Sequence, residues 1–132
     1  MIEKFQAQAS ASIKRDIESA MEKIGNINFM KGIVDVDSVE TMKNIAHQIK
    51  NSGEDIVLVM GSEVSGKANL LVMVSDSLVK SKNINAATII KEISVEINGG
   101  GGGQPFLATA GGKNPGGLQK ALDKARKLIA SV

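Results

Sequence analysis

Along the first 24 residues the apolar positions fall at Ile2, Phe5, Ala9, Ile13, Ile17, Met21 and Ile24. Spacings of three and four gather them on one side of a helix, since an α-helix turns every 3.6 residues. The positions between them are small or polar, so the stripe is narrow. Such a seam suits pairing with a second helix, and it equally suits lying on the domain's own sheet; the pattern leaves both readings open. Gly25 can end this helix in a left-handed cap.

Residues 27–36 (INFMKGIVDV) are rich in Ile and Val and read as a strand. Asp37 and Glu40 then have capping-box spacing, each able to satisfy a free amide at a helix start. Val39, Met42, Ile45, Ala46 and Ile49 form that helix's inward stripe, and Gly53 ends it. The runs IVLVM (56–60) and LLVMV (70–74) are apolar without a break, as in strands covered on both faces. Ser62 to Asn69 is too short a link for a helical crossover, so the two strands pair antiparallel. Asn85 caps a helix that turns Ala87, Ile90, Ile93 and Ile97 inward and stops at Asn98-Gly99. Phe106 to Ala110 reads as a short strand. Asn114-Pro115 opens the last helix, asparagine as the cap and proline in the first turn. Its buried side is Leu118, Ala121, Leu122, Ala125, Leu128 and Ile129. The predicted order is α-β-α-β-β-α-β-α, an α/β domain with a mixed sheet of about four strands and helices packed on it. Residues 1–25 are expected to be a helical linker and residues 26–132 the globular domain.

With 132 residues the chain can bury a real core. The absence of cysteine excludes disulfides, thiol catalysis and cysteine-bound zinc. His47 is the single histidine; with no second histidine or cysteine to join it, it reads as a structural or surface residue. The only aromatics are Phe5, Phe29 and Phe106, too few for a row of rings on which bases stack. The apolar runs fall far short of a bilayer span, and the first 15 residues mix acids, bases and glutamines unlike a secretory signal, so the cytosol is the expected setting. Net charge is +2, but residues 1–112 hold 11 bases and 13 acids, whereas residues 113–132 hold five bases and Asp123 alone. Lys120, Lys124 and Lys127 recur at helical spacing on the side of the last helix away from its apolar stripe. That asymmetry points to an anionic partner near the C-terminus.

One nucleotide-binding motif is approached and missed. Gly61 to Lys67 (GSEVSGK) follows a strand and matches a phosphate-binding loop as far as its lysine. The next residue should be Ser or Thr to hold magnesium, and it is Ala68. A helix should then supply its N-terminal amides, and LLVMV is a strand. The segment is a hairpin turn.

Residues 98–117 (NGGGGGQPFLATAGGKNPGG) hold nine of the 14 glycines and both prolines. Five glycines in succession, Gly99 to Gly103, exceed what a helix cap needs, and each costs backbone entropy on ordering. The run is either a flexible connector or a place where bare backbone comes close to a phosphate or sugar. The apolar strand and the Gly111-Gly112 pair that follow place it inside the fold, and Lys113 stands beside the capped start of the last helix, where free amides favour an anion. Gly100, Gly101, Gly102, Gly103 and Gln104 are the first half of the candidate set for a nucleic-acid or phosphate site. Gly111, Gly112, Lys113, Asn114, Lys120 and Lys124 are the second.

The order Gly-Gly-basic-Gly-Gly-Gly-basic-Pro, then an apolar strand ending Ala-Gly-Gly, resembles the C-terminal domain of alanyl-tRNA synthetases, of the DHH-associated family of nucleic-acid-binding domains. Here it stands as Asn98 to Gly112, NGGGGGQPFLATAGG. The two-strand hairpin and the INAATIIKEI helix fall in the places that domain has them. The resemblance implies a domain without catalysis or cofactor of its own, ATP, magnesium and zinc being expected only in the parent ligase. It implies binding to the elbow of alanine-specific tRNA, support of aminoacylation and editing by the other domains, and a homodimer through the helical portion. Gly100 and Gln104 depart from the pattern, standing where relatives often carry a base, so the Coulomb attraction of this loop for phosphate is weaker. Two alternatives remain: the binding half of a DHH-type phosphoesterase, which usually places a histidine beside a similar glycine loop, and a scaffold dimerising through residues 1–24.

Overall fold

The computed structural model describes residues 15, 17, 19, 21–34, 38–51, 55–64, 66–81 and 84–130. Strands β1 (Glu22–Ile24), β2 (Ile27–Ile33), β3 (Ile56–Val64), β4 (Lys67–Val74), β5 (Gly99–Gly103) and β6 (Leu107–Gly112) form one sheet in the order β1-β2-β3-β4-β6-β5. Helices α1 (Val39–Lys50), α2 (Asp76–Ser81), α3 (Ala86–Ile93) and α4 (Leu118–Ala130) complete the described fold, with short 3₁₀ turns at Ser94–Ile97 and Pro115–Gly117. The mixed α/β architecture is as expected, but the sheet has six strands rather than about four, and the order of elements differs.

Period-two alternation explains the layers. Phe29, Val57, Val59, Leu70 and Val72 point to the side covered by α3 and α4, where Ile90, Ile93, Leu118 and Leu122 meet them. Met30, Leu58, Met60, Leu71 and Met73 point to the other side, under Met42, Ile45 and Ile49 of α1 and under Ile17. Strands β3 and β4 are therefore apolar on both faces, and they pair antiparallel in the register Val57↔Val74 to Val64↔Lys67. The helix α1 carries the chain from β2 to β3, which run parallel.

Four expectations need correction. Ile24 fits the helical stripe, yet residues 22–24 are a strand; Gly25, at φ +61°, turns a two-residue hairpin into β2 rather than ending a helix. Residues 1–14 of the stripe, and with them Ile2, Phe5, Ala9 and Ile13, lie outside the described residues, as do Asp37 and Gly53. The N-cap of α1 is Ser38, whose Oγ accepts from the Thr41 amide at 3.3 Å. The glycine run is neither a connector nor a loop but strand β5. Asn114 precedes a 3₁₀ turn without capping it; its Nδ2 donates instead to the Glu96 carbonyl at 3.4 Å. By contrast Asn85 caps α3 as expected, accepting from the Ala87 and Thr88 amides at 2.9 and 3.4 Å.

Two ion pairs tie the β1–β2 hairpin to α4. Arg126 donates from both Nε and Nη2 to the two oxygens of Glu22, and Lys31 Nζ donates to Asp123 at 2.8 Å. These hydrogen bonds hold both carboxyls below their ordinary range. Lowered folded values mean that the contribution is complete above the unfolded carboxylate range and is lost as pH falls through the folded values. Urea midpoints should therefore fall between about pH 5 and about pH 3. The double variant Glu22→Gln/Asp123→Asn should show a flatter acid limb; an unchanged limb would locate the acid sensitivity elsewhere.

Candidate nucleic-acid interface

The glycine strand owes its composition to two different causes. On Gly99, Gly101 and Gly103 an added Cβ would lie 2.0, 2.1 and 2.5 Å from the carbonyl oxygens of Gly111, Thr109 and Leu107. Strand β5 presses so closely on β6 that only hydrogen fits at these three positions, which explains the alternation. On Gly100 and Gly102 a Cβ would meet nothing within 4 Å. No packing demand among the described residues accounts for their being glycine; they leave bare peptide there.

The register locates that open face. Gly100 pairs with Gly111 and Gly102 with Thr109, and Gly111 and Thr109 pair in turn with Asn69 and Leu71 on β4. Cross-strand partners share a face, and Leu71 belongs to the α1 side. The helix α1 packs against β3 and β4, so beyond them β6 and β5 present a surface of glycine and threonine that no helix among the described residues is seen to cover. The free edge adds donors. Gln104 and Leu107 exchange both backbone hydrogen bonds, at 2.8 and 3.3 Å. By antiparallel alternation the N–H and C=O groups of Gly99, Gly101 and Gly103 then point away from β6 along the edge.

At one end of this face lies a cleft of about 350 Å³ bounded by Lys67, Asn69, Asn98, Gly111, Gly112 and Lys113. Asn98 takes the left-handed conformation (φ +54°) that turns the chain from the 3₁₀ segment into β5. Lys67 and Lys113 are both exposed, and neither forms an ion pair within 4.0 Å among the described residues. Glycine, lysine and amide groups without an open ring can hold phosphate and ribose and offer little to a base. Of the described aromatics, Phe29 is in the core and Phe106 lies under Lys50, whose Nζ is 4.8 Å from its ring centre.

The candidate residues divide accordingly. Gly100, Gly102, Gly111, Gly112 and Lys113 are brought together on or beside the bare face. Gly101 and Gly103 serve the ladder, and Gln104 is exposed at the turn into β6. Gly112 faces the 3₁₀ turn, where a Cβ would lie 2.2 Å from the Ile97 carbonyl. Lys120 and Lys124 stand on α4, which packs on the opposite layer, and Lys124 donates to the Glu92 carbonyl at 2.8 Å with Glu96 at 3.9 Å. They do not share the glycine face. Lys67 and Asn69 are additions to the expected set; the motif GSEVSGK drew attention to that lysine for a reason that does not apply. His47 is exposed in the last turn of α1 and does not line the cleft. Among the described residues no group of three or more His, Cys, Asp or Glu could hold a metal ion, and no helix is long and apolar enough to cross a membrane.

The sequence pattern of the DHHA1 domain matches residues 27–131. The chain belongs to the DHHA1 domain family. Over 128 residues, 97% of this chain, it is 42% identical to an alanine–tRNA ligase of Cytophaga hutchinsonii, and over 106 residues, 80% of this chain, it is 45% identical to an alanine–tRNA ligase of Levilactobacillus brevis. The chain spans only 15% and 12% of those two proteins. Its fold is similar to the C-Ala domain of Aquifex aeolicus alanyl-tRNA synthetase, with a TM-score of 0.75 and 26% identity, covering 83% of this chain and 97% of that one. This DHHA1 domain thus corresponds to the C-Ala part of an aminoacyl-tRNA synthetase. The Asn98 to Gly112 segment that carried the resemblance is its β5–β6 ladder.

Proposed function

We propose that this DHHA1 domain is the tRNA-binding C-terminal domain of an alanine–tRNA ligase. It has no catalysis or cofactor of its own, ATP, magnesium and zinc serving the rest of the enzyme. It contacts the elbow of alanine-specific tRNA and so supports aminoacylation and editing in the cytoplasm. The observation that carries this reading is the bare Gly100–Gly102–Gly111 surface, on which an added Cβ meets no tight contact, flanked by Lys67 and Lys113, neither of which forms an ion pair among the described residues. Bare peptide lets a ribose-phosphate backbone approach closer than any side chain would permit.

Fluorescence anisotropy with labelled alanine tRNA, an unstructured RNA of equal length, and a minihelix lacking the D arm tests the proposal. Intact tRNA should bind best at low salt, and the minihelix distinctly more weakly. Equal affinity for all three would overturn elbow recognition. Dimerisation through the N-terminal helix belongs to the same proposal. Its test is sedimentation of a chain beginning at Arg15, since removal of residues 22–24 would strip an edge strand from the sheet. A dimer that persists in that chain rejects the helical interface.

A further inference from the structure

We infer that the cleft at the β4–β6 end of the bare face is a ribose-phosphate subsite, with Lys67 as its second cation and Asn69 as a neutral contact. The inference rests on the tRNA-binding reading and deepens it, because it names where one backbone unit is held and by which groups. Lys67 is the first residue of β4 after the tight turn at Gly66, whose φ of +78° lets β3 and β4 meet with only two residues between them. That turn fixes Lys67 at the rim, on the same side of the sheet as Asn69, two residues on. Asn69 pairs with Gly111, and its Oδ1 stands 3.7 Å from where a Gly111 Cβ would be. Its Nδ2 donates to the Lys67 carbonyl at 3.4 Å, which orients the amide over the glycine. Lys113 closes the far wall.

Among the described residues no carboxylate lines the cleft, and Glu96, two residues before Asn98, has its carboxylate 3.9 Å from Lys124 Nζ on α4. Two ammonium groups facing one hollow repel each other unless an anion lies between them. A phosphate oxygen supplies that charge. The amide offers both a donor and an acceptor, as does a ribose hydroxyl. Neither group reads a base edge, so the cleft adds position and affinity rather than sequence preference.

The test uses the full chain and labelled alanine tRNA in anisotropy titrations across a salt series. Lys67→Gln and Lys113→Gln should each reduce the steepness of log K against log salt by about 0.7–0.9, the share of one phosphate contact. Asn69→Ala should weaken binding about two- to tenfold with the slope unchanged, as a neutral hydrogen bond does. Lys120→Gln, across the sheet, should leave both affinity and slope at the wild-type value. All four positions are exposed or half-exposed, and urea midpoints of the variants confirm that each remains folded. A wild-type slope and affinity for Lys67→Gln, with wild-type chain still preferring intact tRNA, overturns the subsite and leaves the tRNA-binding reading standing. Loss of tRNA preference by the wild-type chain overturns the reading itself, and the subsite with it. A wild-type affinity for Asn69→Ala removes the hydroxyl contact from the proposal.

Discussion

Replacing Gly101 by alanine is expected to destabilise the domain by about 1–3 kcal/mol or more, the range for forcing atoms into a filled site. The same change at Gly102, one residue along, should be neutral or stabilise it by up to about 1 kcal/mol through a less flexible unfolded chain. The difference lies in the direction of the new methyl. At Gly101 it would sit 2.1 Å from the Thr109 carbonyl oxygen and 2.5 Å from the Ala110 Cα, backbone atoms that cannot swing aside as a side-chain end can. Strand β6 would have to separate from β5, and β6 is held on its other side by β4. At Gly102 the methyl enters open space. Urea unfolding of the two single variants measures both values. Binding should follow the opposite order: Gly102→Val keeps the fold but places a branched side chain on the bare face, and tRNA affinity should drop about tenfold, equivalent to about 1.4 kcal/mol. Equal destabilisation by Gly101→Ala and Gly102→Ala would show that β5 is not pressed on β6 as described. Full tRNA affinity in Gly102→Val would remove the bare face from the interface.

The central part of this fold is legible in the sequence because hydrophobicity alone dictates it. IVLVM and LLVMV are apolar at every position, so they read as interior strands, and the nine intervening residues, too few for a helical crossover, force the antiparallel pairing. Asn85 is legible because a short side-chain acceptor before an apolar-periodic run satisfies free amides in almost any context. Strand β5 is not legible. Glycine has no side chain to favour a pleated surface, and what makes GGGGG a strand is the approach of Thr109 and Gly111 from a neighbour that local pattern does not reveal. The β1 segment misleads for a related reason: Ile24 satisfies both the helical spacing of the stripe and the cross-strand pairing with Ile27. Gly25 is left-handed in either case, so its conformation does not discriminate. The six-residue α2 is too short to show a period. In the candidate site, Gly111, Gly112 and Lys113 follow from composition, since glycines and a cation in one stretch need no tertiary information to be neighbours. Lys67 joins them only through the register of β4 on β6, whereas Lys120 and Lys124 are separated from them by the thickness of the sheet. Periodicity assigns side chains to a face of their own element; which layer that element occupies is decided by the packing.

Because the layers are distinct, two core truncations of similar cost should differ in their effect on binding. Ile45 is fully buried on α1 against β3 and β4, and Ile93 is fully buried on α3, which packs against β4, β5 and β6. Truncating either to alanine leaves a cavity and should cost about 2–5 kcal/mol, a large share of the roughly 5–15 kcal/mol that holds a domain of this kind folded. Ile93→Ala weakens the packing of the helix that lies against β4, β5 and β6. With no side chains of its own, β5 is held by its hydrogen bonds to β6 and by the elements packed beneath it, so loss of Ile93 should loosen the N–H groups along its edge. Ile45→Ala leaves that ladder untouched. At a temperature low enough for both variants to be folded, tRNA affinity should fall in Ile93→Ala and hold in Ile45→Ala, and amide hydrogen exchange at Gly100 and Gly102 should quicken only in the former. If the two variants lose affinity equally, binding depends on global stability rather than on the order of the ladder, and the three tight glycines would have to be explained by folding alone.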